Sequence, residues 1–488
     1  MKQMNIYKIK KYLKDVMLIS LLFVLVSCEK WLDLEPENDL IRQEFWQTKD
    51  DVDAVLAAMY DAFRETSLES LIWGELRADM IQLTGNDFAD YARIARSDIS
   101  PTNGAVKWGE YYFAINLANT LMEYSGDVLG KDAEFTEQIK LSYDAEAIFI
   151  RALTYYYLVR VWKDVPLVLE ASTSDTVNFY VPKSTEYEVL DFIVNDLKQA
   201  ESIAYDRQNQ NDPVIFRGRA NLYSIQTLIA DIYLWLEQYD QCLEYCEKVI
   251  GTGIYSLVNE ENWFSLYYPG NSQESIFEVQ YNDSYDGEEN PMYEKFLPLS
   301  GVGAAYPTTI AIGMFDNTDV RLCARNPWNK YLRKSLTSFI NRDNSERDAN
   351  FIFYRYTDIL LMKSECLAET GKLKEAYQLL NEVVNRAGVS SVDITESIDQ
   401  YRESLLNERA KEYAMEGRRW FDVLRFARRN NFADKNKITN IILSKFSNPN
   451  DLERLKARIK DTMFYYLPIP QKDMDVNKEL VQNPFYDR

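Results

Sequence analysis

Apolar positions recur along this chain at the spacing of a helix face. In residues 52 to 65, "VDAVLAAMYDAFRE", Val52, Val55, Leu56, Met59 and Phe63 fall three and four apart, so one stripe of an α-helix is set to face a core. Within residues 142 to 162, Ala147, Ile150, Leu153, Tyr157 and Val161 do the same. "KDVPL" then ends that helix, because the residue before a proline avoids helical angles. A third amphipathic helix runs from 185 to 204, opened by Thr185 with Glu188 three residues on, a capping-box pair.

Two segments repeat this grammar. "DIYLWLEQYDQCLEYCEKVI" (231 to 250) aligns without gaps on "ECLAETGKLKEAYQLLNEVV" (365 to 384). Each holds the end of one helix, a short turn and a second amphipathic helix. Cys242 falls on Ala376 and Cys246 on Leu380, so both cysteines take positions that want a small or apolar residue. The pattern resembles tetratricopeptide helix pairs, which stack to bury a continuous core. Any two amphipathic hairpins align to some degree. A true repeat requires the pairs to pack together and Leu380 to be buried.

The helical pattern lapses twice. Residues 251 to 350 are rich in Gly, Pro, Asn, Asp and Tyr, with "ESIFEVQYN" as a short strand, and residues 82 to 107 form a second loop-like region. The aromatics Trp263, Phe264, Tyr267, Tyr281, Tyr293, Tyr306 and Trp328 argue against disorder in the longer one. Long irregular segments in a compact protein often carry function. The expected fold class is therefore mainly α: a tetratricopeptide-like helical-pair scaffold with long irregular loop excursions and a few short strands.

The N-terminus has its own pattern. Lys2, Lys8, Lys10, Lys11 and Lys14 precede an apolar run from Val16 to Val26 broken only by Ser20. Such a run is too short to cross a hydrocarbon core of about 30 Å and reads as a secretion signal. "LVSC" ends it, and resembles a bacterial lipobox whose cysteine, Cys28, is lipidated and becomes the new N-terminus. The alternative is an ordinary signal peptide with a chance cysteine near its end. No later stretch offers about 20 continuous apolar residues.

Composition narrows the chemistry. The net charge is −21, and the leader removes five Lys against one Asp, so the rest is more acidic still and repels nucleic acid phosphates. There is no histidine, which excludes Ser-His-Asp triads, Cys-His pairs and His-ligated zinc together. A carboxylate pair for glycoside hydrolysis remains available among 76 Asp and Glu. Cys242, Cys246, Cys323 and Cys366 lack metal-site clustering and are expected to be buried small hydrophobes. "DSYDGEEN" (283 to 290) lacks the ligand spacing of a calcium loop, so no metal or other cofactor is expected.

Five blocks then resemble one family in order along the chain. They are "CEKWLDLEPEN" at 28, "AEAIFIRALTYYYLVRVWKDVPLV" at 145, "FYRYTDILLMKSECLAETG" at 353, "ERAKEYAMEGRRWFDVLRF" at 408 and "YLPIPQKDMDVNKELVQNPFY" at 466. Together they resemble the SusD/RagB outer-membrane lipoproteins, which sit beside TonB-dependent transporters and capture nutrients. Lys163 replaces the glycine usual before Asp-Val-Pro, and Ser364 a common alanine. Arg355, Asp358, Glu408, Arg409, Arg419 and Asp422 are expected to form ion pairs or caps inside the scaffold, and "PIPQ" with "QNP" to pin a terminal segment across the body.

The resemblance implies a non-catalytic, lipid-anchored surface protein of the outer membrane. It would bind a nutrient glycan and pass it to a SusC-like transporter. Peptide capture is the alternative within that class; a surface glycosidase and a helical-repeat scaffold are alternatives outside it. The implied organisation is a signal peptide at 1–27, a helical part at 28–250, an aromatic-rich excursion at 251–350 and a helical part at 351–488, the two helical parts packed as one body. Sugars need aromatic faces and planar polar groups. One excursion supplies Asn86, Phe88 and Tyr91, with Arg77 and Asp79 just before them, and the other Tyr285 and Tyr306, with Asp283, Asn290 and Tyr293. Tyr306 is the first choice as a stacking platform, because it follows "GVGAA" and precedes a proline. Trp108 is expected to pack. On the lipobox reading, Cys28→Ala leaves the protein unlipidated and releases it from the membrane fraction; normal processing and full membrane partition of the variant would refute it.

Overall fold

In the computed structural model of the chain the described residues are 44–83, 89–173, 177–204, 212–285, 287–296, 305–322, 327–332 and 346–487. Cys28 and the leader, with Asn86, Phe88 and Cys323, lie outside them. The chain begins with α1 (Lys49–Glu65) and α2 (Ser67–Glu75), then β1 (Ile81–Leu83) and α3 (Ala89–Ala95). Next come α4 (Gly109–Tyr124), α5 (Glu137–Trp162), the paired β2 (Val165–Pro166) and β3 (Lys183–Ser184), and α6 (Glu186–Ile203). Thr185 and Glu188 form the capping box at the head of α6.

Helix α5 is the axis of the body. Every residue from Ala145 to Trp162 is buried, as expected of a helix enclosed by neighbours rather than lying on a surface. It starts earlier than its apolar stripe, at Glu137, because its first turn is polar and capped by Thr136. The charged residues of its buried stretch are matched. Glu146 accepts from Arg219 at 2.8 Å and from Tyr60 at 2.7 Å. Arg151 reaches Asp196 at 2.6 Å. The Arg160 guanidinium lies 4.0 to 4.4 Å from the rings of Tyr156, Tyr157 and Phe421.

The repeat takes physical form in α7 (Leu222–Trp235) with α8 (Tyr239–Ile250), and later α9 (Tyr356–Glu369) with α10 (Leu373–Arg386). Each pair packs within itself, and α8 packs on α9. Cys242, Cys246 and Cys366 are buried, as are Ala376 and Leu380. The two turns also agree atom for atom. Gln238 N donates to Tyr233 O at 2.8 Å and Lys372 N to Leu367 O at 2.8 Å, and these are equivalent positions in the alignment. The residue that turns the chain is left-handed in both: Glu237 at φ 59° and Gly371 at φ 85°. Only glycine takes that conformation without a Cβ penalty.

Strands are few. β4 (Ser275–Val279) pairs antiparallel with β6 (Phe351–Arg355), and β5 (Ala305–Pro307) pairs with β1. The excursion's aromatics are mostly core: Trp263, Phe264, Tyr267, Tyr293 and Trp328 are buried. The C-terminal third adds α11 (Ile398–Glu412), α12 (Arg419–Phe432), α13 (Asn436–Ser444), α14 (Pro449–Arg458) and α15 (Gln471–Val476). One hydrophobic cluster runs through all of these parts, from Trp46 to Leu480. Among the described residues no helix is long and apolar enough to cross a membrane.

A buried ionic lattice holds the excursion to the helices. Arg355 donates to Glu274 at 2.8 Å and also reaches Glu412 and Glu416. Glu412 accepts as well from Arg386 and, at 2.7 Å, from Arg321. Arg321 also grips Asp319 at 2.8 Å and Glu408, and Lys330 reaches Glu416 at 2.7 Å. The residues expected to pair or cap do so. Asp358 accepts from the Arg355 N–H, Arg409 pairs with Asp422, and Arg419 with Asp79. Burial alone would push the Glu412 carboxyl up. Arg386, Arg355 and Arg321 outweigh it and hold Glu412 well below the usual carboxylate range. Arg355 and Lys330 do the same for Glu416.

Glu237→Gly removes the left-handed strain from the first turn and should stabilise the protein by about 1 kcal/mol, seen as a raised melting temperature. Glu412→Gln leaves three arginines undercompensated and should cost about 3 to 5 kcal/mol, read from the denaturant midpoint. Because the Glu412 and Glu416 carboxyls titrate below their unfolded values, their stabilisation is complete above about pH 4.3 and is lost as pH falls through their folded pKa values. The acid limb of the wild-type stability profile should therefore be steeper than that of the variant.

Candidate functional site

Tyr306 sits in the middle of β5, opposite Gln82 of β1. Its neighbours Ala305 and Pro307 turn inward, and alternation along the strand leaves the Tyr306 ring outward and 39% exposed. The ribbon is short but well anchored. Thr308 donates to the Asp79 carbonyl at 2.5 Å and its N–H to Met80 O at 3.0 Å. The Asp79 carboxylate is gripped by Arg419, with bonds of 2.8 and 3.0 Å.

That geometry corrects two expectations. Arg77 and Asp79 are 2% and 4% exposed and both face partners inside the protein. Arg77 donates to the Tyr465 and Phe464 carbonyls and lies 4.1 Å over the Trp420 ring. Burial brings its pKa down to about 10. These two residues hold the base of the ribbon. Asn290 and Tyr293 are buried too: Asn290 donates to Ala349 O at 2.8 Å and Tyr293 to Tyr331 O at 2.7 Å.

The half-buried Tyr91 of α3 packs its ring 5.7 Å from Phe296, and Ala305 N donates to Phe296 O at 3.3 Å. Tyr91 and Tyr306 thus belong to one small assembly of α3, β1 and β5. Burial pushes the Tyr91 hydroxyl up, so it stays a protonated donor at neutral pH. Tyr285, 62% exposed, stands on a separate turn closed by Glu288 N to Tyr285 O at 3.2 Å and braced where Arg347 N meets Asp283 at 3.2 Å. Asn86 and Phe88 lie outside the described residues.

One feature escaped the sequence reading. A groove of about 680 Å³ opens between the 101–113 segment and the 470–475 segment. Trp108 forms its floor and Phe113, 58% exposed, its rim. Trp108 packs against Tyr112 and Trp162, as expected, yet it also lines this opening. The one available signal was Phe113 itself, which falls off the buried stripe of Tyr111, Ala114, Ile115 and Ala118.

Comparison with known proteins now bears on the whole chain. A model described as "SusD family" matches residues 304–486, and one described as "Starch-binding associating with outer membrane" matches residues 30–234. The chain belongs to the SusD family. It is 26% identical to SusD-like protein P38 of Formosa agariphila over 461 residues, covering 82% of this chain and 88% of the relative. It superimposes with TM-score 0.74 on a SusD superfamily protein from Bacteroides vulgatus, at 21% identity, covering 90% and 100% of the two chains. Surface glycan-binding protein A from Bacteroides thetaiotaomicron, in complex with laminarihexaose, matches with TM-score 0.68 at 20% identity, covering 89% and 99%.

Local geometry accounts for both places where this SusD-family chain departs from the usual residues. Ser364 is buried, but its hydroxyl donates to Ala376 O at 2.7 Å and meets the Tyr401 hydroxyl at 2.6 Å, so the added oxygen is satisfied. Lys163 caps α5 at φ 71°, ψ −74°, with Asp164 N bonded to Trp162 O at 3.1 Å. That is a three-residue turn of the strained, positive-φ kind, which glycine enters most easily.

Proposed function

We propose that this protein captures a glycan at the cell surface, held to the outer membrane by lipid on Cys28, and presents it to a TonB-dependent transporter without chemical change. The observation that carries the reading is the Tyr306 ring. It is an outward aromatic face on a ribbon that the buried Asp79–Arg419 pair anchors to the core. Such a face offers a sugar's C–H surface a rigid partner. Tyr91 shares the small assembly of the Tyr306 ribbon, and Tyr285, Phe88 and Asn86 are proposed as further contacts. Family membership supports the class of ligand, since the structural neighbours include a glycan-binding protein holding laminarihexaose.

The test is calorimetry against a panel of neutral oligosaccharides and short peptides. Tyr306→Ala should weaken binding about fivefold, the loss of one aromatic stack, with smaller losses for Tyr285→Ala and Tyr91→Ala. Wild-type affinity in all three variants would show the site to be elsewhere. Binding of peptides alone would replace the glycan with a peptide ligand. Hydrolysis of any panel member would replace capture with catalysis.

A further inference from the structure

The groove beside Trp108 has the makings of a binding site that the capture reading does not use. Its volume of about 680 Å³ falls in the range of small-molecule sites. It is walled by parts of the chain that are far apart in sequence and tied directly together: Gln471 N donates to Pro101 O at 2.9 Å. The 101–113 wall is also fixed from behind. Asn103 donates to the Asp90 carbonyl at 3.0 Å and accepts from Ala105 N at 2.8 Å. Lys107 is clamped between Glu69 and Glu110, both at 2.8 Å. A site whose walls are already ordered loses little entropy on binding.

The lining selects the ligand's chemistry. Phe113 presents an open ring, and a smaller hollow of about 190 Å³ continues past Trp108 and Asp473 to Phe179, which is also 58% exposed. Around these rings stand groups of both signs, Lys107 and Lys472 with Glu110, Asp473 and Asp475, together with the amide of Gln471. With two cations against three carboxylates the lining does not favour an anion, and its near-balance of charge suits a neutral ligand. Hydroxyl groups both donate and accept, and can satisfy such a mixed rim. A neutral polyhydroxylated ligand with apolar ring faces meets every one of these conditions.

The groove also adjoins the Tyr91 assembly. Asp90, next to Tyr91, accepts from Gly104 N at 3.1 Å through its carboxylate and from Asn103 through its carbonyl. The loop at 101–104 is therefore a wall shared between the two places. We propose that the groove bounded by Trp108, Phe113 and the 470–475 segment is a second carbohydrate subsite, filled by a further stretch of the same neutral glycan chain that stacks on Tyr306. The proposal rests on the capture reading for its ligand class, but on different residues for its contacts.

The test is retardation in native gels containing laminarin, amylopectin, arabinoxylan or galactomannan, with wild type, Phe113→Ala, Tyr306→Ala and the double variant. Phe113 is exposed, so its truncation should leave the melting temperature unchanged. On each polysaccharide that retards the wild type, Phe113→Ala should weaken retention about fivefold. The double variant should lose more than either single change. Asp473→Asn, which removes the carboxylate partner of the Trp108 indole at the groove's floor, should also weaken retention. If Phe113→Ala and Asp473→Asn migrate as wild type while Tyr306→Ala does not, the subsite is refuted and the first site stands. If Phe113→Ala weakens retention and Tyr306→Ala does not, the groove is the site and the Tyr306 platform falls. If no polysaccharide retards the wild type, both are refuted.

Discussion

Arg355 stands where three parts of this chain meet. It ends β6, opens α9, and faces Glu274 at the head of β4 and Glu412 and Glu416 around the end of α11. A guanidinium buried this deeply needs carboxylates, and carboxylates buried this deeply need cations. Arg321, Arg386 and Lys330 complete the exchange. Replacing such a lattice by well-packed apolar groups is often neutral in energy, so its main contribution here is geometric. Arg321 and Lys330 belong to the excursion, and the lattice gives them one place to go. The irregular segment that carries Tyr306 is thereby set against the helices by charge as well as by packing.

The same constraint explains which parts of the molecule were legible. Helices α1, α5 and α6 announce themselves through spacing, and the repeat through its gapless alignment, because those signals are local. The pairing of Arg355 and Arg419 was foreseeable in kind but not in partner, whereas Arg409 found Asp422 from the same expected set. Glu274 and Asp79 lie far away in sequence, and only the fold brings them in. Arg77 and Asp79 were misjudged for a related reason. They precede a loop, and proximity in sequence suggested proximity to a ligand, whereas β1 begins only after the chain has passed through the core. Aromatic residues in the excursion look alike in sequence. Burial separates Tyr293 and Trp328, which build the interior, from Tyr285 and Tyr306, which leave it.

Apart from the off-stripe Phe113, the groove left no trace in the sequence. Its walls come from residues 101–113 and 470–475, and no pattern links segments that distant. What links them is the terminal strap. Leu467 N donates to Val161 O at 2.8 Å, and the Trp162 indole donates to Pro468 O at 2.7 Å. Gln482 exchanges hydrogen bonds with Ile469, and Asn483 donates to Met463 O and Leu467 O. The "PIPQ" and "QNP" elements therefore bind each other and the last turn of α5 at once.

That arrangement ties the surface to the axis of the body. The strap that closes over the end of α5 is the strap that forms one side of the groove. The turn it closes over is the one strained at Lys163, whose amine lies 5.9 Å from the Tyr466 ring and 3.7 Å from the Met463 sulfur. These contacts offset part of the backbone cost of a lysine where glycine is easier. Trp162, just before that turn, packs at 5.4 Å on Trp108, the groove's floor. A shift at the end of α5 would reach the groove through two routes, the indole contact and the strap. The rigidity of the opening is thus a property of the buried helix α5, and a ligand in the groove would bind against the core rather than against a mobile surface loop.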